Sequence, residues 1–323
     1  MSGRIAVTGA TGFVGGAVAR RLCATGADVR VAGRRTAARA ADLVEAGAEA
    51  VDFDLLDEDS WKQVAEGMDV IIHAAAWVDE ADASMAEPLN VTAVEAMVRA
   101  AATAGVRRIV HISTVAVYDL LAHEVFTEDI APDLDQPDPY GATKARGEAR
   151  GLALSRQHGV EFVSIRPAMV YGPGSRPWTL GMLKLVSSGT PCVFGRGDGL
   201  CYLLFIDNLV DAIIAACAAP EVNGQCIHLA DSSLTWNDFL GRYGAMCGRT
   251  PRAIPMPAAR ALAWLAETFP LGLPLDRRRL AITQHRARFD TTRASELLGW
   301  SPAIDIDEGM ALTEAWLREL GKL

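Results

Sequence analysis

Short runs of consecutive apolar residues alternate with Ala-rich, helix-spaced stretches through the first half of the chain. Arg4-Ile5-Ala6-Val7, Asp28 to Ala32, Ala50 to Phe53, Val70 to Ala74, Arg108 to Ile112 and Glu161 to Arg166 read as strands. Helices are predicted over Gly15 to Thr25, Thr36 to Ala46, Pro88 to Ala104 and Tyr140 to His158. Strands apolar on both faces, separated by helices, predict an α/β fold: a doubly wound parallel sheet covered on both sides. After Arg166 the rhythm breaks into Pro- and Gly-rich loops at Tyr171-Gly-Pro-Gly174, Arg176-Pro177 and Gly195 to Gly199. Leu203 to Ala219 reads as a strand and helix that return to the sheet. The tail from Leu234 is mainly helical, with joints at Pro251 to Pro257 and Pro270 to Pro274. Residues 1–170 with about 203–230 then form a nucleotide-binding domain. About 171–202 with 231–323 form a smaller, mostly helical substrate-binding lobe. Within that lobe Ala258 to Leu265 is an apolar helix, read first as core.

Composition removes whole classes of function. Of 323 residues, 50% are hydrophobic and 22% charged, an ordinary globular balance. The net charge of −9 is spread along the chain with no basic patch, which excludes a nucleic-acid surface. The six cysteines, Cys23, Cys192, Cys201, Cys217, Cys226 and Cys247, form no C-x-x-C pair and read as buried thiols in a reducing compartment. No basic-then-apolar leader and no apolar run of membrane length is present in the sequence, so no membrane partner and a cytoplasmic location are expected. No metal site is expected.

Thr8-Gly-Ala-Thr-Gly-Phe-Val-Gly15 follows the first strand and opens the first helix. Gly9, Gly12 and Gly15 permit a tight turn and let backbone N–H groups of Thr11, Phe13 and Val14 approach a pyrophosphate at the helix N-terminus. This is the setting of a Rossmann-type dinucleotide site. The second strand ends in Gly33-Arg34-Arg35, where an NAD site would place an acidic residue on the ribose 2′-hydroxyl. A guanidinium suits a 2′-phosphate instead, so NADP(H) is favoured over NAD(H), with Arg34 the main contact and Arg35 in support. Farther on, Tyr140 and Lys144 lie four residues apart, one turn along one helix face. A fixed ammonium beside a phenol is expected to draw its pKa down and let it pass a proton to an alcohol or carbonyl oxygen. With five Tyr and four Lys in the chain, chance alone gives this spacing in roughly one such sequence in sixteen, so its meaning depends on its neighbours.

Those neighbours come in order: Thr8 to Gly15, Asp54-Leu55, His73-Ala-Ala-Ala76, Asn90, His111-Ile-Ser-Thr-Val-Ala-Val-Tyr118, Tyr140 to Lys144, Arg166-Pro-Ala-Met-Val-Tyr-Gly-Pro-Gly174, Phe205-Ile-Asp-Asn208 and Leu298-Gly-Trp-Ser-Pro302. Over nearly its whole length the chain resembles the extended short-chain dehydrogenases/reductases, the NAD-dependent epimerase/dehydratase superfamily. The resemblance implies an enzyme with Thr114, Tyr140 and Lys144 as catalytic residues. It places Asp54 and Leu55 at the adenine, Ala74, Ala75 and Ala76 along the cofactor, and Pro167 to Val170 at the nicotinamide. Asn90 is implied in the proton network, with a packing role as the alternative.

Departures from the pattern narrow the branch. Dehydratases of this family carry Asp-Glu after the catalytic Thr, whereas Val115-Ala116 stands here. Sugar-nucleotide enzymes place an arginine before the Phe-x-x-Asp segment to grip the diphosphate; Cys201 occupies that place, in the apolar stretch Cys201-Tyr-Leu-Leu-Phe205. Arg176, Arg196 or Arg277 to Arg279 could substitute for it. The remaining segments look closer to 3β-hydroxysteroid dehydrogenases and dihydroflavonol reductases. The leading expectation is ketone–alcohol interconversion on a fairly apolar small molecule. A nucleotide-sugar epimerase is the alternative, and a non-catalytic nucleotide sensor a remote one, since such relatives commonly lose the Tyr. By position, Trp77, Val78, Ala116, Val117, Met169, Tyr171 and Trp178 are expected to face substrate. A homodimer through the two long helices is common in the family.

Overall fold

The structure, a computed structural model, describes residues 3–78, 83–269 and 275–323. Its strands are β1 (Arg4–Thr8), β2 (Asp28–Gly33), β3 (Glu49–Asp52), β4 (Val70–His73), β5 (Arg108–Ile112), β6 (Val125–Phe126) and β7 (Glu161–Pro167), then β8 (Met169–Tyr171), β9 (Pro191–Phe194), β10 (Leu200–Phe205), β11 (Cys226–Leu229), β12 (Ser232–Thr235), β13 (Arg252–Ile254) and β14 (Arg288–Phe289). Seven of them make one parallel sheet in the order β11-β7-β5-β4-β1-β2-β3, and the apolar runs predicted all of these but β11. The strand order reverses between β1 and β4, which opens a crevice at their carboxyl ends where such sheets bind ligands.

Two expected elements differ. The strand before the Ile206–Ala218 helix, β10, joins a separate three-stranded sheet with β8 and β12, and β11 is the strand that returns to the main sheet. β10 pairs antiparallel with β12, which requires no crossover helix, whereas β11 is reached through the helix that packs beside Phe13–Ala24. The single helix expected over Thr36 to Ala46 is two, Thr36–Arg39 and Ala41–Glu45, broken at a buried Ala40. Of the apolar helix read as core, only Ala259 and Ala263 are buried, while Trp264 and Leu265 are exposed. The joint at 270–274 lies outside the described residues.

One row of the sheet, at the carboxyl ends of β1 and β4 but the amino end of β11, is unusually polar. Thr8, His73, His111, Ser164 and Cys226 stand opposite one another on β1, β4, β5, β7 and β11. All five are buried among the valines and isoleucines of the core. The helix Pro139–His158 lies across this row and supplies the polar partners that the row needs.

Candidate active site

The glycine turn is compact because three side chains are missing. A Cβ at Gly15 would stand 2.5 Å from the Gly9 carbonyl oxygen, and one at Gly9 would meet Ala75 N at 2.8 Å. Gly9 also has φ +70, the left-handed region that favours glycine. The turn therefore packs directly on the Ala74-Ala75 backbone after β4. The Phe13–Ala24 helix begins at Gly12 with no side-chain cap and no acidic residue in its first turn. Its first N–H groups are thus left for an anion, and the geometry fits a dinucleotide pyrophosphate.

At the end of β2, Gly33 lies against Thr11, with space for a Cβ only 3.3 Å from the threonine side chain. Arg34 and Arg35 are exposed there, and neither guanidinium is drawn into an ion pair among the described residues. Arg35 has φ 54 and is the only non-glycine described residue with positive φ. The nearby Asp52 carboxylate accepts from Thr36 N at 2.7 Å. Asp54 is exposed and accepts from Leu56 N at 3.0 Å, and Leu55 is half-buried beside it. Pro167 closes β7, while Val170 is buried in β8.

Thr114 and Tyr140 are brought together by a close helix contact. Asp138 caps the Pro139–His158 helix by accepting from Tyr140 N and Gly141 N at 3.3 and 3.0 Å, and Pro139 takes the first helical position. A Cβ at Gly141 would fall 2.4 Å from the Ala116 carbonyl oxygen, so glycine lets this first turn press on the Val115–Val117 turn. Thr114 Oγ1 accepts from Ala116 N at 3.1 Å and lies within hydrogen-bonding reach of Tyr140. Lys144 is buried, donating to the Ile112 carbonyl at 2.7 Å with His111 Nε2 at 3.3 Å.

The pKa directions correct one expectation. Burial pushes the Tyr140 phenol up to about 12, against a lowering hydrogen bond from Thr114 and with a further rise from Asp138. Burial brings Lys144 down to about 8, partly offset by the Glu148 carboxylate one turn on. Desolvation therefore sets the direction of both groups, and the expected lowering of the phenol by the ammonium is not what governs it.

Asn90 is buried within a π-helical turn, Pro88–Thr92. Its Oδ1 accepts from Trp77 N at 2.8 Å, and its Nδ2 donates to Trp77 O at 3.2 Å and to Thr143 Oγ1 at 3.0 Å. It thus clamps Trp77 to the Tyr140–Lys144 helix. Beside that helix opens a cavity of about 700 Å³ lined by Trp77, Ala116, Trp178, Asp138 and Pro139 among others. Val117 and Tyr171 do not reach it: both are fully buried, Val117 against Tyr118 and Phe126, Tyr171 against Phe205 and Gly309. Met169 is half-buried outside the lining, and Val78 is exposed on the surface.

With this geometry in place, comparison with known proteins is decisive. The model of the NAD dependent epimerase/dehydratase family matches residues 5–229. The chain belongs to this family. UDP-glucose 4-epimerase of Mycolicibacterium smegmatis is 30% identical over 332 residues, covering 98% of both chains. An Arabidopsis thaliana 3beta-hydroxysteroid-dehydrogenase/decarboxylase, isoform 2, is 23% identical over 81% of this chain and 51% of its own length. Among solved structures, the DesIV double mutant, a dTDP-glucose 4,6-dehydratase from Streptomyces venezuelae with NAD bound, superposes with a TM-score of 0.78 at 25% identity, over 98% of this chain and 97% of that one. The protein is accordingly an NAD-binding-type oxidoreductase of the epimerase/dehydratase family. No helix among the described residues is long and apolar enough to cross a membrane.

Sequence reasoning missed much of this family member's cavity. Tyr118, Leu120, Gln136 and Pro137 line it near the Thr114 loop, and Glu267, Asp276, Arg278, Arg279 and Ile282 approach from the far end of the chain. The first group flanks motifs and was findable by position. The second comes from about 140 residues downstream of Asp138; its Arg278 and Arg279 belong to the basic run the sequence singled out as a possible substitute for the diphosphate arginine, whereas no local pattern marks Glu267, Asp276 and Ile282.

Proposed function

We propose that the protein is an oxidoreductase that interconverts a ketone and a secondary alcohol on a fairly apolar small molecule, with NADP(H) preferred and NAD(H) the alternative. The dinucleotide supplies or accepts the hydride at the substrate carbon. Thr114 and Tyr140 hydroxyls hold the substrate oxygen, and Tyr140 hands its proton to that oxygen as the carbonyl is reduced. In the reverse direction the phenolate takes the proton back. Lys144 stabilises the phenolate through space and positions the ribose side of the cofactor. The preference for NADP(H) rests on Gly33 in the place of a 2′-hydroxyl-binding acid and on the two unpaired arginines that follow it.

One observation carries the substrate class. The cavity at Asp138 and Pro139, where the Tyr140 helix begins, has apolar walls at Trp77, Trp178, Leu120 and Ile282 beside the polar Gln136, Glu267 and Asp276, and the arginines that line it are already paired. Arg278 pairs with Asp119 at 2.9 Å, and Arg279 with Asp276 at 3.5 Å. Their neighbour Arg277 pairs with Glu267 at 2.5 Å. Cys201, at the expected diphosphate position, is buried with its thiol on the Leu234 carbonyl, and Arg196 is held by Asp198. Of the arginines that could substitute there, Arg176 alone, exposed at the start of the turn that carries Trp178, has no ion pair among the described residues, so a dianionic diphosphate would meet one uncommitted cation rather than a prepared clamp.

A second reading, nucleotide-sugar epimerisation, is favoured by the 30% identity to a UDP-glucose 4-epimerase. The two are separated by assaying NADPH and NADH oxidation with a panel of cyclic and alkyl ketones beside UDP-glucose/UDP-galactose interconversion. Ketone-dependent oxidation, faster with NADPH, is the expected outcome. Sugar-nucleotide turnover without any ketone reduction would establish the epimerase instead, and tight cofactor binding with no turnover at all would leave a nucleotide sensor.

A further inference from the structure

The polar row of the sheet contains a histidine whose purpose the hydride chemistry does not explain. His111 on β5 is fully buried, and its Nε2 lies 3.3 Å from the Lys144 Nζ. An ammonium can only donate, so the imidazole accepts through Nε2 and carries its proton on Nδ1. That Nδ1 is buried without a partner, so the ring has no onward hydrogen bond and cannot pass protons through the core. It is also clamped: His73 stacks on one neighbour position at 5.4 Å and 24°, and Phe162 on the other at 5.6 Å and 29°. His73 is itself tied through Nδ1 to Thr8 Oγ1 at 2.8 Å, at the first residue of the glycine turn.

We propose that His111 is a positioning residue: its fixed, neutral Nε2 accepts from the Lys144 ammonium and, with the Ile112 carbonyl, aims the remaining N–H toward the cofactor and Tyr140. The inference rests on the reading of Lys144 as part of the reacting set. The groups facing Lys144 are His111 on β5, His73 behind it on β4, and Glu148 and Tyr140 one turn either side on its own helix. Burial holds His111 well below its ordinary value, with Lys144 and then His73 adding to the effect, so of the two groups the lysine keeps the proton. Losing the acceptor removes one of the two hydrogen bonds that favour the charged lysine in a desolvated site.

The chain's four lysines, Lys62, Lys144, Lys184 and Lys322, make a direct test practical. Lysine-labelled protein is titrated by NMR, with Lys144 assigned through Lys144→Arg. In His111→Leu the Lys144 titration should fall by about one pH unit, a roughly tenfold loss of proton affinity. His111→Gln, which restores an acceptor oxygen, should titrate close to the unaltered protein. If the leucine variant does not fold, His111→Phe keeps a ring between His73 and Phe162 without an acceptor and answers the same question. An unshifted titration in the acceptor-free variant, or equal shifts in the Gln and Leu variants, overturns the proposal. The alkaline limb of kcat should move to lower pH alongside the titration. A shifted titration with an unmoved kcat profile supports the His111 contact and removes Lys144 from the reacting set.

Discussion

Tyr140 and Lys144 are displaced in opposite directions by the same cause. Burial disfavours whichever form is charged, so the phenol rises to about 12 while the ammonium falls to about 8. A phenol held protonated is poised as an acid, which suits donation to a ketone oxygen. Replacing Tyr140 with Phe should lower kcat by ~10²–10⁴-fold while leaving NADPH affinity unchanged. Fluorescence titration of NADPH beside steady-state turnover checks this, and near-normal kcat in the variant would dismiss Tyr140 as the acid. The spacing of Tyr140, Lys144 and Thr114 was legible because motifs are local. The histidine that meets Lys144 was not, since it stands 33 residues away and is placed by the pairing of β4 with β5.

Between elements, the two long helices were readable as periodic stretches, but their meeting was not. The first turn of the 88–104 segment is wound as a π-helix, Pro88–Thr92, before continuing as Ala93–Ala104. The reason lies across the interface. A Cβ at Gly147 would stand 2.0 Å from the Asn90 carbonyl oxygen, so glycine admits the widened turn and holds Asn90 on Trp77 and Thr143. Gly147→Ala should therefore destabilise by about 1–3 kcal/mol through overpacking and loosen the cavity wall at Trp77. Gly241 offers the contrast, lying in the Trp236–Cys247 helix with nothing near its absent Cβ. Gly241→Ala should stabilise by about 0.5–1 kcal/mol from helix propensity and unfolded-state entropy. Urea midpoints of the two variants should move in opposite directions; a shift of the same sign would refute the packing account.

Across the whole molecule, three histidines are buried in neutral form. His73 and His228 are brought down to about 3, chiefly by burial, with Lys144 and Arg166 respectively as nearby cations, and His111 lies well below its ordinary value. Unfolded histidine titrates near ~6.5, so on acidification the unfolded chain takes protons that the native one refuses. Stability from these groups is complete above pH ~6.5 and is lost as pH falls toward the folded values, at up to roughly 1.4 kcal/mol per pH unit for each histidine. The urea midpoint should accordingly drop between pH 7.5 and 5.5, above the range where carboxylates titrate, and His228→Gln should flatten the slope. A midpoint constant over that window would show that the native state admits the protons. The parallel sheet itself was evident from its doubly apolar strands. Which late strand completes it was not, because β10 and β11 are both short apolar runs and only tertiary pairing separates them.

That last strand bears on how the protein is made. β11 is the outer neighbour of β7, the strand whose Arg166 reaches the buried Glu148 at 2.5 Å and whose Ser164 donates to the same carboxylate. During synthesis β7 emerges some sixty residues before β11 and waits as an open edge, with an ion pair that is sealed only when the later segment arrives. Long-range parallel pairing of this kind is slow. The ribosome-bound chain thus has a window in which its Pro139–His158 helix rests on an unfinished sheet, and a release before Leu229 leaves that edge free to pair with another chain.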